Sequence, residues 1–236
     1  MPLDSFKQEI RERFKQVQKN IVNAAERANR DPQDIKIVAV GKEQPLEKLK
    51  LVRELGVYAL GESRVQELQE KEEKSSEIIK WHFVGHLQRN KVKYLARMGN
   101  CHLIHSLDSL RLAKEINKRA AKNNRVMSVL IQVNVARDEN KFGFMPEELL
   151  PFLEETVKLE SINLEGLMTL VPYFEDSENA RPYFKKLVDL QTKADEAGFN
   201  LPELSMGMTN DYIVAIEEGA TMIRLGRAIF GSRNYE

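Results

Sequence analysis

Short apolar runs and amphipathic stretches take turns along this chain, and that alternation restricts its fold more than any other feature. Runs with strand character lie at Ile35–Val40, Val57–Leu60, Trp81–Gly85, Leu103–Ser106, Val129–Val135, Leu164–Leu170, Glu203–Met206 and Met222–Leu225. That makes about eight, the number that closes a parallel barrel. Helical patterns separate them at Leu46–Leu55, Arg64–Glu73, Ser109–Lys122, Pro146–Leu159, Ala180–Ala197 and Asp211–Glu218. Strand then helix, repeated, argues a parallel sheet covered by helices. An open doubly wound sheet satisfies the same alternation, but the number of units favours closure into a single TIM-type (β/α)8 barrel. Ahead of the first unit, Phe6, Ile10, Phe14, Val17, Ile21 and Ala24 or Ala25 recur at spacings of four and three. Residues 1–30 therefore read as an extra amphipathic helix packed on the barrel. Asp4 is expected to cap it and Asn29-Arg30-Asp31-Pro32 to stop it. One domain over residues 1–236 is expected.

Two segments far apart in sequence carry the chemistry. The run Ile35-Lys36-Ile37-Val38-Ala39-Val40-Gly41 ends in Lys42, and a lysine at the mouth of a buried strand can become a nucleophile towards an aldehyde. Near the other end, Ser205-Met206-Gly207-Met208-Thr209 and Ile223-Arg224-Leu225-Gly226 offer backbone amides freed by glycines, with hydroxyls from Ser205 and Thr209. Such groups suit a phosphate ester where strands give way to helices. In a closed barrel the ends of the first, seventh and eighth strands are neighbours, on the face where barrel sites form. A cofactor carrying both an aldehyde and a phosphate joins the two segments, which names pyridoxal 5'-phosphate, held as a Schiff base.

Charge narrows the partners. Lys plus Arg and Asp plus Glu both total 36, so no global field favours nucleic acid or an acidic membrane. The first 30 residues mix charges throughout and form neither a signal peptide nor a membrane span. The lone cysteine, Cys101, fits a reducing compartment, so a cytoplasmic monomer is expected. The stretch Gln69–Lys80 reads as a solvated helix end and loop.

The segments Ala39-Val40-Gly41-Lys42-Glu43-Gln44-Pro45, Gly61-Glu62-Ser63-Arg64-Val65-Gln66-Glu67, Trp81–Lys91, Ser205–Asp211 and Ile229–Arg233 resemble the pyridoxal phosphate homeostasis protein family. The resemblance covers nearly the whole chain. It implies a barrel similar to the amino-terminal domain of alanine racemase, with the cofactor on Lys42 and Arg224 facing the pyridine nitrogen. It also implies that the cofactor is kept for other enzymes rather than used for a reaction. Three positions depart from the family pattern: Gly41 and Thr209 stand where serine is usual, and Ser63 where asparagine is usual.

Plainer readings stand beside these. Lys42 alone resembles any lysine with its stem on a barrel rim. A nucleotide P-loop is discarded, because its upstream glycine is replaced by Lys36 and Glu43 follows the lysine. Thr209-Asn210-Asp211 also reads as a helix start, which is compatible with anion binding. Arg224 shares strand parity with Met222 and so points to one side, opposite Ile223 and Leu225. His82, His86, His102 and His105 lack metal-ligand spacing and read as structural, so no metal is expected. Tyr58, Tyr173, Tyr183 and Tyr212 are candidate second acids or bases. Lys91, Lys93 and Lys141 could accept the aldehyde, with Lys141 the secondary candidate. The expected set is Lys42, Ser205, Gly207, Thr209, Arg224 and Gly226, with pyridoxal phosphate as cofactor and its dependent apoenzymes as partners. The competing expectation, an amino-acid racemase, needs a second base that alanine racemases draw from a further domain, for which the sequence after the eighth unit leaves no room.

Overall fold

The structure, a computed structural model, describes residues 3–57 and 59–232, apart from the side chains of residues 3–5. Tyr58 and Arg233, both singled out in the sequence, lie outside the described residues. Helix α1 (Leu3–Arg27) comes first. It begins before Asp4, the expected cap, and it ends as expected, at Asn29 in a left-handed conformation (φ 53°) and a short 3-10 turn at Pro32–Asp34.

Eight strands follow: β1 (Lys36–Val40), β2 (Ala59–Glu62), β3 (Lys80–Phe83), β4 (Cys101–Leu107), β5 (Met127–Gln132), β6 (Ile162–Met168), β7 (Glu203–Ser205) and β8 (Met222–Leu225). They pair in chain order, all parallel, and close into a barrel through β1 and β8, where Val38 lies opposite Arg224. The connecting helices are α2 (Leu46–Glu54), α3 (Val65–Lys74), α4 (Val92–Arg97), α5 (Leu110–Lys122), α6 (Leu149–Thr156), α7 (Arg181–Glu196), α8 (Tyr212–Glu217) and α9 (Arg227–Phe230). The barrel is thus the one the alternation argued. Helix α9, of four residues, is too short for its period to register, and α4 was not read although α8, of the same six residues, was: Thr209-Asn210-Asp211 marks the start of α8, and α4 has no such signal. The pattern over Pro146–Leu159 opens with a 3-10 turn at Pro146–Glu148 before α6 begins.

Two layers of side chains fill the molecule. The larger lies between barrel and helices and includes Ile223 and Leu225; the smaller lies inside the barrel, where Leu103, Leu130, Met168 and Met222 form a separate cluster. Met222 and Arg224 therefore point inward, as strand parity requires. Helix α1 buries Ile10, Phe14, Val17, Ile21, Ala24 and Ala25. It packs on α8 and α9, the helices that follow the phosphate-type loops. Asn20 donates to the Tyr212 hydroxyl at 2.7 Å, and Arg30 to the carbonyls of Ile216 and Ala220 at 2.7 and 2.9 Å. The solvated reading of Gln69–Lys80 needs correction at one residue: Lys71 is buried, on the inner face of α3.

Candidate functional site

A cavity of about 780 Å³ opens at the carboxyl ends of the strands, lined among others by Lys42, Ser63, Lys141, Thr209, Arg224 and Gly226. The first and last strands bring their ends together there, so residues nearly the whole chain apart share one wall. Lys42 stands two residues beyond β1 and is half-buried. Gly41 before it donates its amide to the Gly61 carbonyl at 2.9 Å. A Cβ at Gly41 would meet the Leu49 side chain at 2.8 Å, so the serine usual in the family would require Leu49 to shift. Glu43 after it takes a left-handed conformation, φ 61°.

The facing wall is the loop after β7. Gly207 has φ 88°, and a Cβ there would come within 2.6 Å of the Ala215 Cβ and 2.9 Å of the Tyr212 Cα. No other residue makes this turn without displacing α8. The turn aims Met208–Asp211 at the cavity. Asp211 accepts the Met208 amide at 2.6 Å, and the Thr209 hydroxyl accepts the Ala228 amide at 3.2 Å, tying the loop to α9. The amides of Thr209, Asn210 and Gly226 have no acceptor among the described residues. That leaves donors and a hydroxyl converging on one spot, an anion site in its chemistry. Burial raises the Asp211 carboxyl above its usual range, against the pull of the Met208 amide and Arg224.

Arg224 closes the floor. It is buried, and its guanidinium donates to Ser205 Oγ at 2.6 Å and to the Thr169 carbonyl at 2.8 Å. Burial brings it down to about 10, opposed by Asp211, which still leaves it charged at neutral pH. Below it the bonds continue: Ser205 Oγ lies 2.9 Å from His105 Nδ1, and His105 Nε2 lies 2.9 Å from His82 Nδ1. Arginine only donates, and the described residues offer the Ser205 hydroxyl no acceptor except His105 Nδ1, so the assignment that pairs every donor sends the Ser205 proton there. That places the His105 proton on Nε2, donated to His82. Burial, with the charges of His102, Lys36 and Lys80, takes His82 down to about 3, and burial, with His82 and Arg224, holds His105 well below its ordinary value. Both rings are neutral at physiological pH.

Of the residues expected from the sequence, Lys42, Thr209, Arg224 and Gly226 line the cavity together. Gly207 shapes the loop beside it. Ser205 does not line it: its hydroxyl is fully buried and engaged by Arg224 and His105. Lys141 and Tyr173 reach the rim, Tyr212 turns away to Asn20, and Tyr183 packs on Phe174. Sequence reasoning read His105 as structural and Asp211 as part of a helix start without their bonds to this site, and it missed the Lys71–Glu62 pair. The pair left no local signal of its own; only the neighbouring Glu67–Lys71 contact, an acid and a lysine four apart, could have been read.

The description "Alanine racemase, N-terminal domain" matches residues 13–234. The chain is 47% identical over 226 residues to the pyridoxal phosphate homeostasis protein of Aquifex aeolicus (strain VF5), covering 95% of this chain and 98% of that one. It is 34% identical to the protein of the same name from Haemophilus influenzae, covering 93% and 94%. Among solved structures it resembles PipY of Synechococcus elongatus PCC7942 with PLP bound: TM-score 0.75, 29% identity, 90% of this chain and 100% of that one. Alanine racemase from Clostridium difficile 630 shares the fold, with TM-score 0.72 and 22% identity, over 96% of this chain and 56% of that one. With identity of this order along nearly the full length of such relatives, and with the motif residues gathered at one barrel mouth, the chain belongs to the pyridoxal phosphate homeostasis protein family.

Proposed function

We propose that this chain, as one domain over residues 1–236, binds pyridoxal 5'-phosphate at Lys42. It keeps the cofactor in reserve for dependent apoenzymes rather than turning over a substrate. One observation carries the reading: the amine of Lys42, the unengaged amides around Thr209 and Gly226, and a charged Arg224 line one cavity. Bound there, the cofactor supplies an aldehyde and an electron-withdrawing ring. Thr209 and the amides of Thr209, Asn210 and Gly226 would hold the phosphate. Lys42 would take the aldehyde end. Arg224, a permanent donor, would face the ring nitrogen and keep it unprotonated, which weakens the ring as an electron sink. A site of that kind retains its cofactor and drives amino-acid chemistry poorly. Arg224 in turn is held in place by Ser205 and the Thr169 carbonyl. The PLP-bound PipY structure and the homeostasis name of the relatives support the same role. The proposal places the protein in the cytoplasm, where Cys101 needs no partner; its thiol is buried and pushed up to about 12.

The test is a visible spectrum of the purified protein before and after borohydride, followed by peptide mass spectrometry. An absorption band that disappears, with the added mass on Lys42, bears the proposal out. A protein that stays colourless and unmodified after incubation with pyridoxal phosphate overturns it. Racemase assays on the loaded protein should then stay at background.

A further inference from the structure

The buried ammonium of Lys71 sits behind the loop that carries Lys42. Its three N–H groups donate, each at 2.7 Å, to the Gly41 carbonyl, to Glu62 at the end of β2, and to Glu67 on α3. No donor is left over. Glu67 Oε1 also accepts the amide of Glu43. The cluster therefore grips the backbone on both sides of Lys42: the carbonyl of the residue before it and the amide of the residue after it. Burying such ions is costly, and an apolar side chain on α3 would fill the space with no desolvation penalty. Burial raises the Glu62 carboxyl, the neighbouring Glu67 adds to the rise, and the Lys71 contacts oppose it. The Gly41 carbonyl also accepts the Gln44 amide at 3.0 Å, closing a turn across Lys42 and the left-handed Glu43, and Lys71 adds the bonds that tie this turn to β2 and α3, which apolar packing could not supply.

We infer that Lys71 is a positioning residue for Lys42: through Gly41 and Glu67 it fixes the direction from which the Lys42 amine meets a carbonyl carbon. The inference rests on the proposed binding of pyridoxal phosphate at Lys42. It separates two properties of the cavity. Holding the phosphate and ring belongs to the loops after β7 and β8, and presenting the amine belongs to the Lys71 cluster. A displaced amine still reaches the cavity but reacts slowly, because geometry and not affinity limits it.

Two variants of the full chain test this. Lys71→Met combined with Glu62→Gln removes the ammonium without leaving its buried carboxylate unpaired. Glu67→Ala keeps the Lys71–Glu62 pair and removes the shared link to Glu43. Each is compared with the unaltered chain for uptake of pyridoxine 5'-phosphate, which lacks the aldehyde, and for the rate of borohydride-trapped attachment of pyridoxal 5'-phosphate to Lys42. In the trapped reaction the amine condenses with the aldehyde, water leaves, and hydride reduction gives a secondary amine. The expected result is pyridoxine 5'-phosphate affinity within about twofold of the unaltered chain, and trapping slowed by about tenfold or more. Deuterium exchange of residues 41–48 in the ligand-free protein should rise in both. Trapping at the unaltered rate, or equal loss of both ligands in variants that still melt cooperatively, overturns the role of Lys71. An unaltered chain that takes up neither ligand overturns the cofactor reading itself.

Discussion

A single hydrogen atom on Ser205 orders the interior of this barrel. Arg224 cannot accept, and among the described residues only His105 is placed to take the hydroxyl proton; with that assignment both ring tautomers follow. Nitrogen-15 spectra should show both His82 and His105 neutral with the proton on Nε2 at pH 6. A signal from an imidazolium would contradict the network. Lys42→Ala should abolish the borohydride-trapped adduct and leave the melting temperature nearly unchanged, since a half-buried lysine contributes little to the core. Adduct at full stoichiometry would move the attachment to another lysine. Arg224→Glu should raise transamination of added amino acids by the loaded protein, because a carboxyl there can share a proton with the ring nitrogen; an unchanged rate would remove that argument. That Lys42, Thr209, Arg224 and Gly226 share one cavity was legible in the sequence, because the ends of neighbouring barrel strands meet. Ser205 shows where that logic stops: a hydroxyl in a phosphate-type loop looks the same whether it meets a ligand or an arginine, and only the register of β7 beside β8 decides.

Elements carry the next set of constraints. The loop after β7 depends on one left-handed glycine pressed against α8, so Gly207→Ala forces strain and a clash together. We expect it to cost about 1–3 kcal/mol of stability and to release phosphate-bearing ligands, as read by urea melts and pyridoxine 5'-phosphate titration. Helix α1 braces the same loops from outside, through α8 and α9. Phe14→Ala should cost roughly 3–5 kcal/mol, and ligand retention should weaken with it because the braced helices carry the loops. Loss of stability without loss of retention would show that α1 acts only as a cover. The strands and longer helices were legible from periodicity. Helix α9 was not, since four residues do not repeat, and α4 was not, since it lacks the start signal that marked the equally short α8. Lys71 was misread for a different reason: it sits in a run of charges, and nothing local shows that Glu62, on a strand beside it, turns one of those charges inward.

For the molecule as a whole, the buried histidines set the response to acid. Both fold neutral and both become cations in the unfolded chain below its ordinary value near 6.5. Their folded values lie below their unfolded ones, so the stability they contribute is complete above about pH 6.5 and is lost as the pH falls. Each should remove about 1.4 kcal/mol per pH unit between roughly pH 6 and 4. Urea melts at pH 6 and pH 5 measure the slope, and His105→Asn should reduce it by one proton's worth. A slope unchanged by that substitution would mean the ring is already charged in the folded state. No helix among the described residues is long and apolar enough to cross a membrane. The closing pair of the barrel also sets an order of events in time. Because β1 must find β8 before Lys42 faces the Gly226 loop, a ribosome has to release almost the entire sequence before the cavity exists. A partly synthesised chain exposes an ordinary lysine, and on the proposed function capture of a reactive aldehyde would begin only when the ring has shut, which would make ligand uptake a direct clock for the last step of folding.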